Sequence, residues 1–233
     1  MPKEMAIRGT HDKVIATLAD EIDFKTAPLV LDVGAGAGAL STKLKAAGLN
    51  VTACDLDVDN FDVPGVKCLQ VDGAGIWPYE DNSLDAVLAV EVLEHIDGHE
   101  PFFSEAARVL KPGGKLLFTT PNMLSLKSRI RFLFTGTFYS YPPLEPFVRK
   151  PASQHISPFT LNRYEWMLSH QGLAITRVTT DKWQSSSLLL GLLWPFIKLS
   201  TKIKYGKNSN AKKNNSRIAL FGRKLFVIAQ KKV

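Results

Sequence analysis

The stretch Val30–Leu40 reads VLDVGAGAGAL, and it decides the fold. A run of apolar residues leads into three glycines, Gly34, Gly36 and Gly38, which alternate with alanines. The run is typical of a buried strand, and the glycines let the following turn adopt positive φ and approach a ligand closely. A helix predicted after the turn would direct its unpaired N–H groups towards the same crevice. The pattern therefore predicts a strand, loop and helix that bind a nucleotide-like ligand.

Two ligand classes fit this loop on its glycines alone. The run from Gly34 to Ala39 satisfies the dinucleotide pattern G-x-G-x-x-G/A, and Asp55 follows about 20 residues later, where a ribose-binding carboxylate belongs. Asp32 stands just before the first glycine, and a carboxylate there would repel a pyrophosphate. The same carboxylate suits a ligand that carries an ammonium and a sulfonium group. Asp32 therefore favours S-adenosylmethionine over NAD.

Four segments follow one another along the chain in a recognisable order. They are Asp32-x-Gly34-x-Gly36-x-Gly38, Asp55 at the end of VTACD, LQVDGAGIWPYEDNSLDAVLAVEVLEHI (69–96) and ARVLKPGGKLLFTTPN (107–122). In this order they resemble the motifs of class I S-adenosylmethionine-dependent methyltransferases, in the small-molecule group that includes ubiquinone biosynthesis. The resemblance is close over residues 28–122 and looser beyond. Leu84 stands where the family usually has Phe, and this change puts none of the motifs in doubt.

The resemblance implies a set of cofactor-binding residues at the ends of predicted strands. They are Asp32, Gly34, Gly36, Gly38, Asp55, Leu56, Asp72, Gly73, Ala74, Val90, Glu91 and Val92. Asp32 and the glycines would hold the methionine portion, Asp55 the ribose hydroxyls, and Leu56 would pack on the adenine. Asp72 would accept the adenine amino group, although Asp-Gly is also an ordinary turn signal. Glu91 would line the crevice or simply begin a helix.

Two histidines are candidates for chemistry on the methyl acceptor. His155 follows a predicted lid, and related enzymes often carry a histidine there. We hypothesise that His155 takes a proton from an acceptor hydroxyl, with a hydrogen bond that pins the lid as the alternative. For His95, a hydrogen bond to loop backbone is favoured over a role as general base. No metal site is expected.

Strands and helices alternate through most of the sequence. This alternation predicts an α/β fold with a parallel sheet covered on both faces. The resemblance implies a Rossmann-like doubly wound seven-stranded sheet that is mostly parallel with an antiparallel last strand, and the last two predicted strands fit it as a β-hairpin interrupted by a basic insertion. The predicted strands are Leu29–Val33, Val51–Asp55, Lys67–Val71, Ala86–Val90, Lys115–Thr120, Ala174–Thr180 and Lys224–Ala229. The predicted helices are Asp12–Ile22, Ala39–Ala47, Pro101–Leu110, Asn122–Phe134 and Pro158–His170, and Pro112-Gly113-Gly114 should end the third of them.

The expected domain organisation is one methyltransferase domain with an insertion before the last strand. The domain comprises residues 1–181 and 218–233, with a lid at about 135–158, and the insertion comprises residues 182–217. Tyr139, Tyr141 and Arg149 in the lid are expected to shape specificity. Within the insertion, SNAKKNNS (209–216) is expected to be disordered.

Charge is divided unevenly along the chain, whose net charge is +7. All 22 acidic residues lie in residues 1–181, whereas 12 of the 29 basic residues lie in residues 182–233. Residues 185–207 read SSSLLLGLLWPFIKLSTKIKYGK, a basic and strongly apolar segment. We expect this helical segment to contact an anionic membrane surface, with packing on the protein's own core as the alternative.

The most probable function on these grounds is methyl transfer from S-adenosylmethionine to a small, lipid-linked or saccharide acceptor, at oxygen rather than at nitrogen or carbon. A first alternative is an RNA methyltransferase that uses residues 182–233 as a phosphate-binding arm. The unbroken run LLLGLLWPFI and the lack of an N-P-P-[YF] motif make nucleic acid the weaker choice. A second alternative is a non-catalytic, cofactor-binding partner subunit. No signal peptide is recognised, so a cytoplasmic protein, peripheral to the membrane, is expected.

Overall fold

The computed structural model describes residues 6–148 and 153–233. Its strands are β1 (Leu29–Val33), β2 (Asn50–Asp55), β3 (Cys68–Gln70), β4 (Leu84–Val90), β5 (Leu110–Pro121), β6 (Leu173–Thr179) and β7 (Lys224–Lys231). They form one seven-stranded sheet in the order β3-β2-β1-β4-β5-β7-β6. Every neighbouring pair is parallel except those that involve β7, which is antiparallel to β5 and β6. The predicted Rossmann-like sheet is confirmed.

Helices lie along the chain between these strands. They are α1 (Thr10–Ala19), α2 (Ala39–Ala46), α3 (His99–Val109), α4 (Leu126–Thr135), α5 (Leu161–His170), α6 (Ser185–Leu189), α7 (Trp194–Tyr205), α8 (Ser209–Lys213) and α9 (Arg217–Phe221). A 3-10 turn, Leu190–Leu193, joins α6 to α7. None of the helices among the described residues has the length and apolar character needed to cross a bilayer.

Hydrophobic side chains cover both faces of the sheet, as a parallel sheet requires. Along β1, Leu31 and Val33 point into one core with the aromatic residues of α3 and α5, and Val30 points into the other with α1 and α2. This alternation follows from the two-residue period of a strand. Because both cores are dry and packed, the position of the loop after β1 is fixed from two sides.

The carboxyl ends of β1, β2, β3 and β4 lie at one edge of the sheet. The chain leaves β1 towards β2 on one side and later enters β4 on the other side of β1. Such a reversal of strand order opens a crevice between the loops, where open α/β sheets bind ligands. The loops that follow β1, β2 and β4 therefore line the candidate site.

Two local predictions are wrong. The segment Ser209–Ser216 was expected to be disordered, yet it begins with α8, because Asn208 Oδ1 accepts hydrogen bonds from the N–H groups that open this helix. Pro112-Gly113-Gly114 was expected to separate a helix from a strand, but it lies inside β5. Strand β5 starts earlier because Leu110 pairs with Leu84 before the register shifts.

Candidate active site

The loop after β1 is built for close approach to a ligand. Gly34, Gly36 and Gly38 have φ values of 70°, 53° and 85°, which disfavour other residues. A Cβ on Gly34 would lie 2.4 Å from Val92 Cγ2, and one on Gly38 would lie 2.2 Å from Val63 Cγ2. No side chain at either position could be accommodated without moving its neighbour, so the backbone itself forms this wall of the crevice.

Asp32 lies near the carboxyl end of β1 and is 2% exposed. Ser41 Oγ, on α2, donates a 2.6 Å hydrogen bond to Asp32 Oδ2. Burial raises the pKa of Asp32 to about 7, and the nearby charge of Asp55 adds to this effect, while the Ser41 hydrogen bond opposes it. A buried carboxylate whose donors, the Ser41 hydroxyl and backbone N–H, are both neutral is costly to ionise, and a cation beside it would lower that cost.

Asp55 ends β2 and connects it to the glycine loop. Its Oδ2 accepts a 2.7 Å hydrogen bond from the Gly36 N–H, and its Oδ1 accepts a 3.0 Å hydrogen bond from the Asp57 N–H. Leu56 beside it is 43% exposed, which leaves an apolar surface next to the carboxylate. This pair of side chains presents two acceptor oxygens and a flat apolar contact at the edge of the crevice.

Asp72 forms the ordinary turn that its sequence also allowed. Its Oδ1 accepts a 3.0 Å hydrogen bond from the Ala74 N–H, across Gly73. The side chain is exposed at the end of β3. One carboxylate oxygen is used in the turn, so the other is the atom that a ligand would contact.

Glu91 follows Val90, the last residue of β4, and its carboxylate is already paired. Lys224 Nζ donates a 2.6 Å hydrogen bond to Oε2, and Thr119 Oγ1 donates to Oε1 at 3.0 Å. The backbone is strained here, since Glu91 has φ of 59°. Glu91 lies outside the 3-10 helix Leu93–His95, so the alternative of a helix-start residue does not describe it.

Ser41, Thr119 and Lys224 had no sequence signal for these contacts. Lys224 begins β7, which is antiparallel, and its register partner is Pro121 at the end of β5. The start of β7 therefore reaches the same edge of the sheet as the ends of the parallel strands.

The two candidate histidines lie against each other, with ring centroids 4.8 Å apart. His95 Nδ1 donates a 2.8 Å hydrogen bond to the Gln154 carbonyl, which is the backbone contact favoured for it. His155 Nδ1 donates a 2.7 Å hydrogen bond to the Ser140 carbonyl. The two hydrogen bonds thus attach Gln154 and Ser140, near the two ends of the segment predicted as a lid, to these rings. In each ring Nε2 remains available to another partner.

Between these elements lies Glu94, which sequence reasoning missed. Its side chain is fully buried, and neither carboxylate oxygen has a hydrogen-bond partner among the described residues. Burial raises its pKa well above the usual value, and the charge of Glu91 adds to the rise. The signal for it was a carboxylate placed between Leu93 and His95 in the loop after a central strand.

The predicted specificity residues of the lid have different environments. Tyr141 is 5% exposed and lies in the main core, whereas Tyr139 is 43% exposed with Lys127 Nζ 3.4 Å from its ring centroid. Arg149 lies outside the described residues. Over 136–148 and 153–160 the chain forms no helix or strand beyond a bridge between Phe138 and Tyr141.

The donor set fits S-adenosylmethionine better than a dinucleotide. Asp32 and Asp55 flank a loop whose residues, from Gly34 to Gly38, contain no Lys or Arg. A pyrophosphate in that loop would lie against the Asp32 carboxylate with no neutralising side chain, whereas Asp55 suits the ribose of either ligand. An ammonium group and ribose hydroxyls would meet acceptors.

Comparison with known proteins points the same way. Residues 31–118 match the family model described as a methyltransferase domain. This range contains the last three residues of β1, the whole of the glycine loop, β2 to β4 and most of β5. The matched segment is therefore the part of the chain that builds the crevice.

Curated relatives match part of the chain. The demethylmenaquinone methyltransferase of Tropheryma whipplei is 36% identical over 94 residues, which are 38% of this chain and 39% of that protein. The ubiquinone biosynthesis O-methyltransferase of Xanthomonas oryzae pv. oryzae is 40% identical over 103 residues, 40% of this chain and 43% of that protein. The match thus spans about two fifths of these relatives' length.

The fold as a whole is shared with solved structures. A SAM-dependent methyltransferase from Archaeoglobus fulgidus superposes with a TM-score of 0.61 at 22% identity, covering 96% of both chains. At this identity the likeness shows the fold and leaves the substrate open.

Proposed function

We propose, from the premise that residues 31–118 belong to the class I S-adenosylmethionine-dependent methyltransferase family, that this protein methylates a small or lipid-linked acceptor. The observation that carries the proposal is the buried Asp32 carboxylate beside a glycine loop with no room for a Cβ. This arrangement suits a cationic cofactor pressed against backbone. An oxygen is the proposed target atom, and a lipid-linked saccharide is included in the acceptor class.

The cofactor supplies an electrophilic methyl group, so the protein's task is to bind, orient and exclude water. Asp32 faces the ammonium group, and Asp55 accepts from the ribose hydroxyls once the ligand competes with the Asp57 amide. Leu56 packs on the adenine, and the free oxygen of Asp72 takes its amino group. The remaining contacts in this proposal are Gly34, Gly36, Gly38, Gly73, Ala74, Val90 and the backbone of Glu91.

His155 is the proposed group for the acceptor side. Its Nδ1 is held by the Ser140 carbonyl, so its Nε2 carries the lone pair. From this position His155 acts on an acceptor hydroxyl, either as the base itself or as a ligand of an ion that acidifies the hydroxyl. The His155 ring contacts the ring of His95, and His95 lies in the loop after β4. This contact supports a position of His155 next to the crevice.

The insertion, residues 182–217, is the proposed membrane contact. Leu189, Leu192, Phe196, Leu199 and Ile203 are 84%, 84%, 70%, 56% and 76% exposed. Phe196, Leu199 and Ile203 lie three and four residues apart on one face of α7, and Leu189 and Leu192 precede them at the end of α6 and in the 3-10 turn. An exposed row of five large apolar side chains indicates a surface that binds a partner or a membrane.

The opposite face of the same helices packs on the protein. Leu190, Trp194 and Ile197 lie against a small core formed by Leu126, Leu220 and Phe221. The alternative of packing on the protein's own core therefore accounts for one face and leaves the other uncovered.

The positive charge beside the uncovered apolar face favours an anionic lipid surface over RNA as its partner. Lys198, Lys202 and Lys204 are exposed along α7, and residues 182–233 contain no acidic side chain. An anionic lipid surface offers both an apolar interior and negative headgroups. An RNA would neutralise the lysines but would leave the leucine face in water, so the lipid surface is the better match.

Methyl transfer from radiolabelled S-adenosylmethionine tests the proposed function. We expect label in a lipid or glycan fraction of bacterial extract and none in RNA. Label in RNA alone would contradict the acceptor class. If the cofactor binds but no fraction is labelled, the protein is the non-catalytic cofactor-binding partner subunit instead. His155→Ala should lose most of the turnover, and His170→Ala, at an exposed position at the end of α5, should retain it.

A further inference from the structure

Three potential metal ligands converge at the loop after β4. Glu94, His95 and His155 each offer one ligand atom, and these atoms lie within 4.8 Å of one another. Two atoms bound at about 2.1 Å to one ion lie roughly 3.0–3.4 Å apart at tetrahedral or octahedral angles. Side-chain rotations that draw the atoms together by less than ~2 Å would complete such a site.

Both imidazoles have the tautomer that a metal ligand needs. A carbonyl oxygen only accepts, so Nδ1 of His95 and Nδ1 of His155 carry the protons that they donate to Gln154 and Ser140. In the neutral ring this leaves Nε2 with a lone pair. Histidines that bind metals almost always donate their other ring N–H to a carbonyl or carboxylate, as these do.

The buried, unpaired carboxylate of Glu94 is a second and independent indication of a cation at this position. Its carboxylate is 0% exposed, and both oxygens lack a hydrogen-bond partner in the described part of the chain. A buried carboxyl group with no partner is costly. A cation held between Glu94 and the two rings would satisfy it, and no lysine or arginine pairs with it among the described residues.

The backbone around the three residues is held in place. The Ile156 and Ser157 N–H groups donate to the Glu94 carbonyl at 2.8 and 3.3 Å, and Ser157 Oγ donates to the Ile96 carbonyl at 2.6 Å. These bonds fix the segment that carries His155 against the loop that carries Glu94 and His95. The cluster is therefore a built site on two fixed segments.

We propose that Glu94, His95 and His155 bind one divalent transition-metal ion such as Zn²⁺. Two imidazoles and one carboxylate are ligands for ions of this kind, and three protein ligands leave a coordination position open. An acceptor hydroxyl at that position would have its pKa lowered by the ion. The ion would also hold the end of the lid segment against the loop after β4.

Metal titration of the full chain tests this proposal without an activity assay. After treatment with a chelator, the protein is titrated with Zn²⁺ in a calorimeter and with Co²⁺ by visible absorption. We expect one ion per chain and Co²⁺ bands typical of nitrogen and oxygen ligands. Loss of an outer-shell partner already costs 10–100-fold in affinity, so Glu94→Gln and His155→Ala should each weaken binding by more than ~10-fold.

Controls separate this outcome from others. His170→Ala removes an exposed histidine on α5 and should leave the affinity unchanged. Glu94→Gln keeps the side-chain shape, so it decides the matter if His155→Ala fails to fold. Wild-type protein that binds no ion, or variants that bind as tightly as wild type, would overturn the proposal. S-adenosylmethionine binding by Glu94→Gln should be unaffected, which keeps this result distinct from that for the cofactor.

Discussion

At Asp32, folding favours the neutral carboxyl group, because the side chain is buried, whereas binding of a cationic cofactor favours the ionised carboxylate. The side chain is buried with Ser41 as its hydrogen-bond donor, and its pKa is raised from 3.8 to about 7. A carboxyl group with a raised pKa contributes stability that is complete below its unfolded pKa and is lost as pH rises through its folded pKa. At pH 8 the buried charge therefore destabilises the protein until a cation binds beside it.

Asp32→Asn should stabilise the cofactor-free protein at pH 8. The shift corresponds to as much as ~4 kcal/mol in the free energy of unfolding, because the amide carries no charge to bury. The gain should fall to less than half of that near pH 5, where the wild-type carboxyl is protonated. Denaturant unfolding at both pH values measures it. A variant that is less stable at pH 8, or a gain independent of pH, would contradict this account of Asp32.

Individual residues at the site were predictable to different degrees. Asp32 and Asp55 were found because each stands at the end of an apolar run, and the structure places both at the crevice. Glu94 was not found, since what distinguishes it is burial and the lack of a hydrogen-bond partner among the described residues, which the sequence does not reveal. The contact of Glu91 with Lys224 joins residues 133 positions apart and depends on how β7 enters the sheet.

At the scale of elements, the glycine loop is the most constrained. Gly38 and Gly48 flank α2 with similar φ values, 85° and 91°. A Cβ on Gly38 would lie 2.2 Å from Val63 Cγ2, whereas a Cβ on Gly48 would have nothing within 4 Å. Alanine at either position would therefore have the same unfavourable left-handed backbone conformation, but only alanine at Gly38 would also clash with a neighbouring side chain.

Gly48→Ala should cost about 1–2 kcal/mol of stability, the price of the backbone conformation alone, with unchanged cofactor affinity. Gly38→Ala should cost more and should weaken S-adenosylmethionine binding, since Val63 or the loop must move. Thermal unfolding and calorimetry on the two variants provide the measurement. Equal effects of the two substitutions would show that the loop is not closely packed.

The exposed face of α6 and α7 makes a separate prediction. Wild-type protein should float with vesicles that contain about a quarter of anionic lipid, and Leu192→Gln with Phe196→Gln should abolish this binding. Lys198→Gln with Lys202→Gln should weaken it roughly thirtyfold, at ~1 kcal/mol for each charge, and raised salt should do the same.

The matched control for that experiment is Ile76→Gln. Ile76 is 87% exposed and lies far along the chain from the insertion, so its loss should not change vesicle binding. Protein that ignores the vesicles but shifts RNA through the same lysines would refute the membrane contact and favour the phosphate-binding arm.

Element boundaries show where local sequence was sufficient. β1 was predicted at Leu29–Val33 and is found there, because apolar residues and a glycine loop mark its two ends. α8 was missed, since its polar sequence lacks a hydrophobic face. Arg129 donates to Asn215 Oδ1 and the Asn214 carbonyl at 2.7 and 2.6 Å, which holds the end of this segment on the protein. These tertiary contacts, which the local sequence does not reveal, explain why the segment 209–216 is ordered.

At the scale of the whole molecule, the strand order brings the site together. Glu94 and His95 lie 60 residues or more before His155, and the returning lid places all three in one cluster. The alternation of strands and helices predicted the parallel sheet, and the resemblance added the antiparallel last strand. It could not predict which side chains would meet at the sheet edge, because that depends on the paths of loops between elements.

Calorimetric titration with S-adenosylmethionine, S-adenosylhomocysteine and NAD tests the central claim most directly, namely that Asp32 and the glycine loop form a pocket for a cationic methyl donor. We expect the first two ligands to bind one per chain, NAD to give no heat of binding, and Asp32→Asn to weaken S-adenosylmethionine at pH 8 although the variant itself is more stable. Tight binding of NAD by protein that ignores S-adenosylmethionine and S-adenosylhomocysteine would contradict the claim.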